Sequence, residues 1–495
     1  MLAIAYCSIE HSSRYAIGSA RTEDRVPPNP LTVQLPKFMT IADRFNLLLI
    51  QSAKLGNYRQ VATALERGAQ VNATDAQGTT ALMFAAQKGF ARIVELLLAT
   101  GADANIHRCQ FGTTALMFAA SANRIAVVEQ LLAQGVDVDA SNEDGSTALM
   151  GAALAGAQEI VSLLIAAGAD VVKIDADEDN ALNIAISQNY PHIVRQLIGA
   201  GADVNHRRSD GKTPLLLMSA LGEPTILSLL LAAGADPQSV DLDGDSLMII
   251  AAERGDTRLI QLLIDAAAID LQNNDGWTPL IAATSAGQIE VVRLLLAAGA
   301  DPNLQSQELE TGLHLAAIEG NTDLIRLLLG HEAKTDLISS LGDTPLVLAT
   351  LHGHTAAVAA ILESCPDLGA HQQGVTAFGL AIVNQSTEIA QLLLAAGVSP
   401  VQILKGGQTP LIISAIHGNL ELVRSIVDAK VDLNIQDDSG ATALMWATYR
   451  RHHRVIELLL AAGCDRTCKN PGGLTALDLA QMNRDRSAIA LLTTI

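Results

Sequence analysis

The residues of this 495-residue chain that could do chemistry are few and poorly grouped. "DGKT" at 210–213 ends like a phosphate-binding loop, but the position five residues before Gly211, where such a loop needs glycine, is His206. Lys212 therefore reads as the tip of a turn. "HEAK" at 331–334 lacks the second histidine that a zinc-binding helix carries. No G-x-S-x-G elbow is present. Cys464 and Cys468, with His452 and His453 near them in sequence, offer thiolate and imidazole ligands. Their spacing is poor for a tetrahedral site, and Cys464 stands where sibling segments carry a small residue. None of the 12 histidines is placed to serve a nucleophile. No catalytic residue, metal ligand or cofactor is expected.

The totals narrow the alternatives. The formal net charge of −20 argues against a nucleic-acid partner and favours, weakly, a basic one. Gly, Asp or Asn interrupts every Leu-rich segment before it reaches the roughly 20 apolar residues that span a bilayer. Five cysteines at irregular spacing do not make a disulfide framework, which places the chain in a reducing compartment, the cytoplasm. The composition is 49% hydrophobic but only 3% aromatic, so Ala and Leu must do the packing. Residues 1–38, with Pro27, Pro28, Pro30 and Pro36, differ in texture and read as a disordered leader. Met39 is an alternative start.

The elements that position everything else form one repeated unit. "DGWTPLIAATSAGQIEVVRLLLAAGADPNLQ" at 275–305 shows it whole. Asp275-Gly276 suits a tight turn. Thr278 can cap a helix and Pro279 suits its first position. Val291, Val292, Leu295 and Leu296 form the stripe of a second helix, and Gly299 closes it. The turn glycine recurs at 78, 112, 145, 211, 244, 276, 342, 374, 407, 440 and 473, with Glu178 and Leu309 filling the two gaps. With an earlier partial unit at 48–72, about fourteen copies cover the chain. Helices this short fall below the roughly 12–15 residues of marginal independent stability, so each copy must lean on the next.

These residues resemble the ankyrin repeat. "TPL" stands at 213–215, 278–280, 344–346 and 409–411, and "TAL" replaces it at 80–82, 114–116, 147–149, 442–444 and 475–477. "GAD" recurs at 101–103, 168–170, 201–203, 234–236 and 299–301. The histidine that follows that leucine in the family is kept only at His314; Met83, Met117, Met150, Ile281, Ile412 and Met445 replace it. The Met-containing form is similar to bacterial ankyrin proteins. The resemblance implies an all-α-dominated solenoid of stacked helix pairs with β-hairpin fingers. It divides into an N-terminal capping repeat over 39–77, twelve repeats over 78–472 and a C-terminal cap over 473–495. Units one residue short near Ala266–Ala268 and Pro366–Gly369 should bend the stack.

The resemblance also implies a groove lined by fingertips and by the ends of the first helices. Nine residues after each turn mark, one groove column reads Gln87, Ser121, Leu154, Ser187, Ala220, Glu253 and Ser285, then Ile318, Leu351, Val383, Ile416, Tyr449 and Met482. The last six are apolar. They form either an exposed protein-binding stripe or part of the inter-repeat core. The next column, Glu319, His352, Asn384, His417, Arg450 and Asn483, is polar, as a rim should be. Trp277, Asp243, Asp245 and Glu310 are candidate fingertip contacts, with Trp277 a possible anchor. Trp446 reads as core. The expected function is a monomeric, non-catalytic scaffold for protein partners, among them a basic or amphipathic segment, with no nucleic acid and no membrane insertion. The alternative is an accessory inhibitor or regulatory subunit of a separately encoded enzyme.

Overall fold

The computed structural model describes residues 40–493, apart from 221–223, 365, 367, 370, 373 and 374. The leader over 1–38, Met39 and the turn mark Gly374 lie outside the described residues. The chain divides into two compact units, Met1–Leu242 and Asp243–Ile495. The described residues hold 28 α-helices in antiparallel pairs, six pairs in the first unit and eight in the second. Within each unit, first helices contact the first helices of neighbouring pairs and second helices contact second helices, giving two layers.

Local chemistry starts each pair in the same way. The hydroxyl of Thr278 accepts from the backbone N–H of Ile281 at 3.2 Å, which satisfies one of the donors that a helix start leaves open. Thr80, Thr114, Thr344, Thr409 and Thr442 repeat that bond. Where methionine replaces the family's histidine, its sulfur takes over the return contact. The N–H groups of Thr80, Thr114 and Thr147 point at the Sδ atoms of Met83, Met117 and Met150, 3.4–3.5 Å away. At His314 the Thr–His pairing is intact: Nδ1 bonds the Thr311 hydroxyl at 2.9 Å and accepts from its N–H at 3.1 Å.

The first helices pack closely because their contact faces are alanine. Ala85, Ala86, Ala119, Ala120, Ala152 and Ala153 are fully buried in the first unit. The second helices bury β-branched and leucine side chains, as with Val127, Val128 and Leu131, or Val291, Val292 and Leu295. Each such side chain contributes about 1.5–3 kcal/mol when the neighbouring pair covers it. This is how a 3%-aromatic chain builds a core without large residues.

The expected β-hairpin fingers are mostly tight turns. Only His371–Gln372 and Val375–Thr376 pair as strands among the described residues, with isolated bridges Thr74–Thr80 and Ser141–Thr147. Side chains close the turns instead. Oδ1 of Asn273 accepts from the N–H groups of Asp275 and Trp277, at 3.0 and 2.8 Å, and Asp75, Asn142, Asp175 and Asp437 do the same in their turns. These bonds replace strand pairing. The two turn marks that are not glycine, Glu178 and Leu309, nonetheless adopt φ of 61° and 56°. The position dictates the left-handed backbone even where the residue resists it.

Polar side chains also tie one pair to the next. On the closing loops, Asn72, Asn205, Asn303 and Asn434 accept through Oδ1 from the N–H of Asp103, Asp236, Lys334 and Asp465, at 2.7–2.9 Å. Near Ala266–Ala268, the second helix Thr257–Leu263 ends two residues short of Ile289–Ala297, which absorbs the missing residue. Several residues around Pro366–Gly369 lie outside the described set.

Candidate functional site

The apolar column lies at the C-terminal ends of six consecutive first helices of the second unit: Gly312–Glu319, Pro345–Leu351, Ala377–Val383, Pro410–His417, Ala443–Tyr449 and Ala476–Met482. The helices stack in that order, so the column is continuous. Its side chains are not absorbed into the core. Leu351, Val383, Tyr449 and Met482 are 41%, 51%, 53% and 68% exposed, and Ile318 and Ile416 are half-buried. Of the column's earlier members, Ser121, Glu253 and Ser285 are exposed, and Gln87, Leu154 and Ser187 are half-buried. The rim beside the apolar rows is exposed at Glu319, His352, Asn384, His417 and Arg450, and half-buried at Asn483.

A turn and a ring hold one column member in place. The indole N–H of Trp446 donates to Oδ2 of Asp437 at 2.7 Å, and the Trp446 ring meets Tyr449 edge-on, with centroids 6.0 Å apart. Trp446, expected in the core, is half-buried, because its polar edge needs that carboxylate. Burial pulls the Asp437 carboxyl upward, but bonds from Ser439, the Ala441 N–H and Trp446 outweigh it and hold it below the usual carboxylate range.

Sequence reasoning missed the residues that set the backbone beneath the column. At four second helices the residue just before the helix reaches back to the preceding repeat. His354 Nε2 donates to the carbonyl of Ile318 at 2.8 Å, and His452 Nε2 to that of Ile416 at 3.0 Å. Arg124 and Gln288 do likewise to Gln87 and Glu253 at 3.2 Å. Each of these side chains lies over the glycine that ends the earlier helix, at Gly320, Gly418, Gly89 and Gly255. A planar or long side chain some 34 residues after such a glycine was the available signal. Exposed apolar residues near the turns, Ile338, Leu341, Val401 and Ile403, were also missed.

The fingertip candidates separate. Asp243 is exposed. Asp245 is half-buried and accepts from Asn273 Nδ2 at 2.7 Å. Glu310 is half-buried; burial and the charge of Glu308 push its carboxyl up. Trp277 is half-buried beside its turn, with its backbone bonded to Asn273 in both directions. The tips stack in register: the N–H groups of Asn274, Gln307 and Ser340 donate to the carbonyls of Asp243, Asp275 and Glu308 at 2.8–3.1 Å.

Cys464 and the two histidines near it in sequence do not come together as a site. Cys464 is buried, which pushes its thiol to about 11. Neither neighbouring histidine turns toward it: His452 bonds Ile416, and His453 Nε2 bonds Asp485 at 2.8 Å. Among the described residues no three His, Cys, Asp or Glu side chains are grouped to hold a metal ion. No described helix is long and apolar enough to cross a membrane.

A family model described as ankyrin repeats, in three copies, matches residues 49–142, 122–208, 173–241, 215–306, 299–372, 361–437 and 411–494. Among curated proteins the chain is similar to Ankyrin repeat and SAM domain-containing protein 6 of Rattus norvegicus, 37% identical over 99 residues, covering 19% of this chain and 11% of that protein. It is 36% identical over 97 residues to E3 ubiquitin-protein ligase KEG of Arabidopsis thaliana, 19% of this chain and 6% of that protein. It is 28% identical over 124 residues to Alpha-latrotoxin-Lg1a of Latrodectus geometricus, 24% of this chain and 9% of the toxin. The chain thus spans only a small part of the length of each of these relatives.

Proposed function

The chain belongs to the ankyrin-repeat family, and from that premise we propose that it is a non-catalytic scaffold that captures a protein partner on the apolar column of its second unit. Ankyrin repeats generally serve as protein-interaction modules. The observation that carries the reading is the exposure of Leu351, Val383, Tyr449 and Met482 along one stack of rows, with Ile416 half-buried between them and a polar rim beside them. The rows sit on helices locked by caps and inter-repeat bonds, so docking orders little backbone and keeps more of the contact energy. Asp243, Asp245, Glu310 and Trp277 act at the margin of this surface, where charge tunes encounter rate more than affinity. Among the groups with shifted pKa, Asp437 closes a turn and His314, Asp478 and Asp485 hold helix starts, which supports a structural use of them over catalysis. The described free thiols at Cys109, Cys464 and Cys468 fit a reducing, cytoplasmic setting, and the protein acts as a monomer.

The test is affinity capture with the wild-type chain and with Leu351→Ser/Ile416→Ser/Tyr449→Ser, read by mass spectrometry. Proteins held by the wild type should be lost by the variant, with helical circular dichroism and melting unchanged. Retention of the same proteins by the folded variant would place capture elsewhere on the chain, and an unfolded variant would show that these side chains serve the core.

A further inference from the structure

Charge is unevenly distributed along the second unit. Residues 243–390 carry 19 acidic and 5 basic side chains, whereas residues 391–495 carry 9 and 10. Around the column the same gradient appears in exposed groups. Asp243, Asp275 and Glu308 occupy successive stacked tips, and Glu319 stands in the rim at the first apolar row. At the far end Arg450, Arg451 and Arg484 are exposed beside Tyr449 and Met482, and the later turns carry the exposed Lys405 and Lys469 with one exposed carboxylate, Asp438. The apolar rows therefore run from a negative end to a positive one.

The backbone beneath the rows limits what can lie on them. Three of the six carbonyls are already engaged: Ile318 by His354, Ile416 by His452 and Tyr449 by Asn483 Nδ2 at 3.3 Å. An extended peptide laid on this surface would bury N–H groups with few acceptors to meet them, which is costly. A helix brings its own backbone partners. The step between stacked helices is about 8–10 Å. Two turns of a helix rise about 10.5 Å, so one side chain in every seven meets a row and its neighbours at i+3 and i+4 fill between.

We propose that the column holds an amphipathic α-helix in one orientation, with a basic N-terminal end toward Asp275 and Glu319 and an acidic C-terminal end toward Arg450 and Arg484. The helix dipole has the same polarity and adds to the preference. This assignment rests on the interaction surface proposed above and specifies its partner.

Two synthetic 28-residue helical peptides of identical composition provide the probe. Both carry leucines on one face; one has lysines in its first third and glutamates in its last, and the other is reversed. Measured by fluorescence anisotropy on the full chain, the first should bind about tenfold more tightly at low salt, and the difference should shrink in 1 M NaCl. The charge-swapped chain Asp275→Lys/Glu319→Lys/Arg450→Glu/Arg484→Glu should prefer the second peptide. Equal binding that is still lost in Leu351→Ser/Tyr449→Ser would overturn the orientation and leave the interaction surface standing. Binding indifferent to Leu351 and Tyr449 would overturn both. Failure of either peptide to bind would overturn the helical partner.

Discussion

The imidazole of His354 lies over Gly320, the left-handed residue that ends the preceding repeat's first helix, and its Nε2 donates to the Ile318 carbonyl at 2.8 Å. One side chain thereby covers a backbone bend, ties the column's first apolar row to the next repeat and excludes any Cβ at position 320. His452 over Gly418 repeats the arrangement two rows before the column ends.

Gly320→Ala should therefore destabilise the chain. A Cβ there would stand 2.5 Å from Cγ of His354, on a backbone with φ of 69°. The left-handed conformation alone costs about 1–2 kcal/mol for an L-residue, and displacing the ring adds to it. Urea denaturation should show a loss of about 2–3 kcal/mol, smaller when His354→Ala is already present. Strict additivity would show that the ring contact contributes nothing.

Leu309→Gly should stabilise. Leu309 is exposed and holds φ of 56° at a position that glycine fills in most repeats. Relief of about 1–2 kcal/mol of strain exceeds the roughly 0.5–1 kcal/mol that glycine loses in chain entropy. A melting temperature at or below wild type would show that the leucine side chain makes a compensating contact.

His314 should make stability pH-dependent. Its ring is fully buried, and burial lowers its pKa from 6.5 to about 4 against weaker opposing bonds to the carbonyls of Asp343 and Leu337. Above pH 6.5 the ring is neutral in folded and unfolded chains and its stabilisation is complete. As pH falls from 6.5 toward 4 the unfolded chain takes up a proton that the folded ring refuses, and up to about 3 kcal/mol is lost. His314→Met, the residue used at this position in other repeats, should flatten the stability profile over that interval. An unchanged slope would place the titration elsewhere.

Asn303→Ala should loosen two neighbouring repeats together. Asn303 Oδ1 accepts from the Lys334 N–H at 2.8 Å and its Nδ2 donates to the Glu332 carbonyl at 3.3 Å. Losing both should cost about 1–3 kcal/mol and raise hydrogen exchange at the Lys334 amide. Unaltered exchange there would show that water replaces the side chain without penalty.

The primary structure alone determined the repeat and its phase. Thr before a short apolar run, a turn mark every 32–34 residues and glycine after most leucine stripes are local signals, and each maps onto a cap, a turn or a helix end. Even Glu178 and Leu309 were legible, because the turn geometry belongs to the position. What the sequence left open at Leu351, Val383 and Tyr449 was exposure, since an apolar residue at a helix end is compatible with either core or surface. That choice depends on how much room alanine-lined first helices leave between them, and on where residues 34 positions away place their side chains. His354 over Gly320 and Trp446 on Asp437 arise from such placements. Only the tertiary structure decided them, because burial is a property of neighbours brought together by stacking and not of the segment that carries the residue.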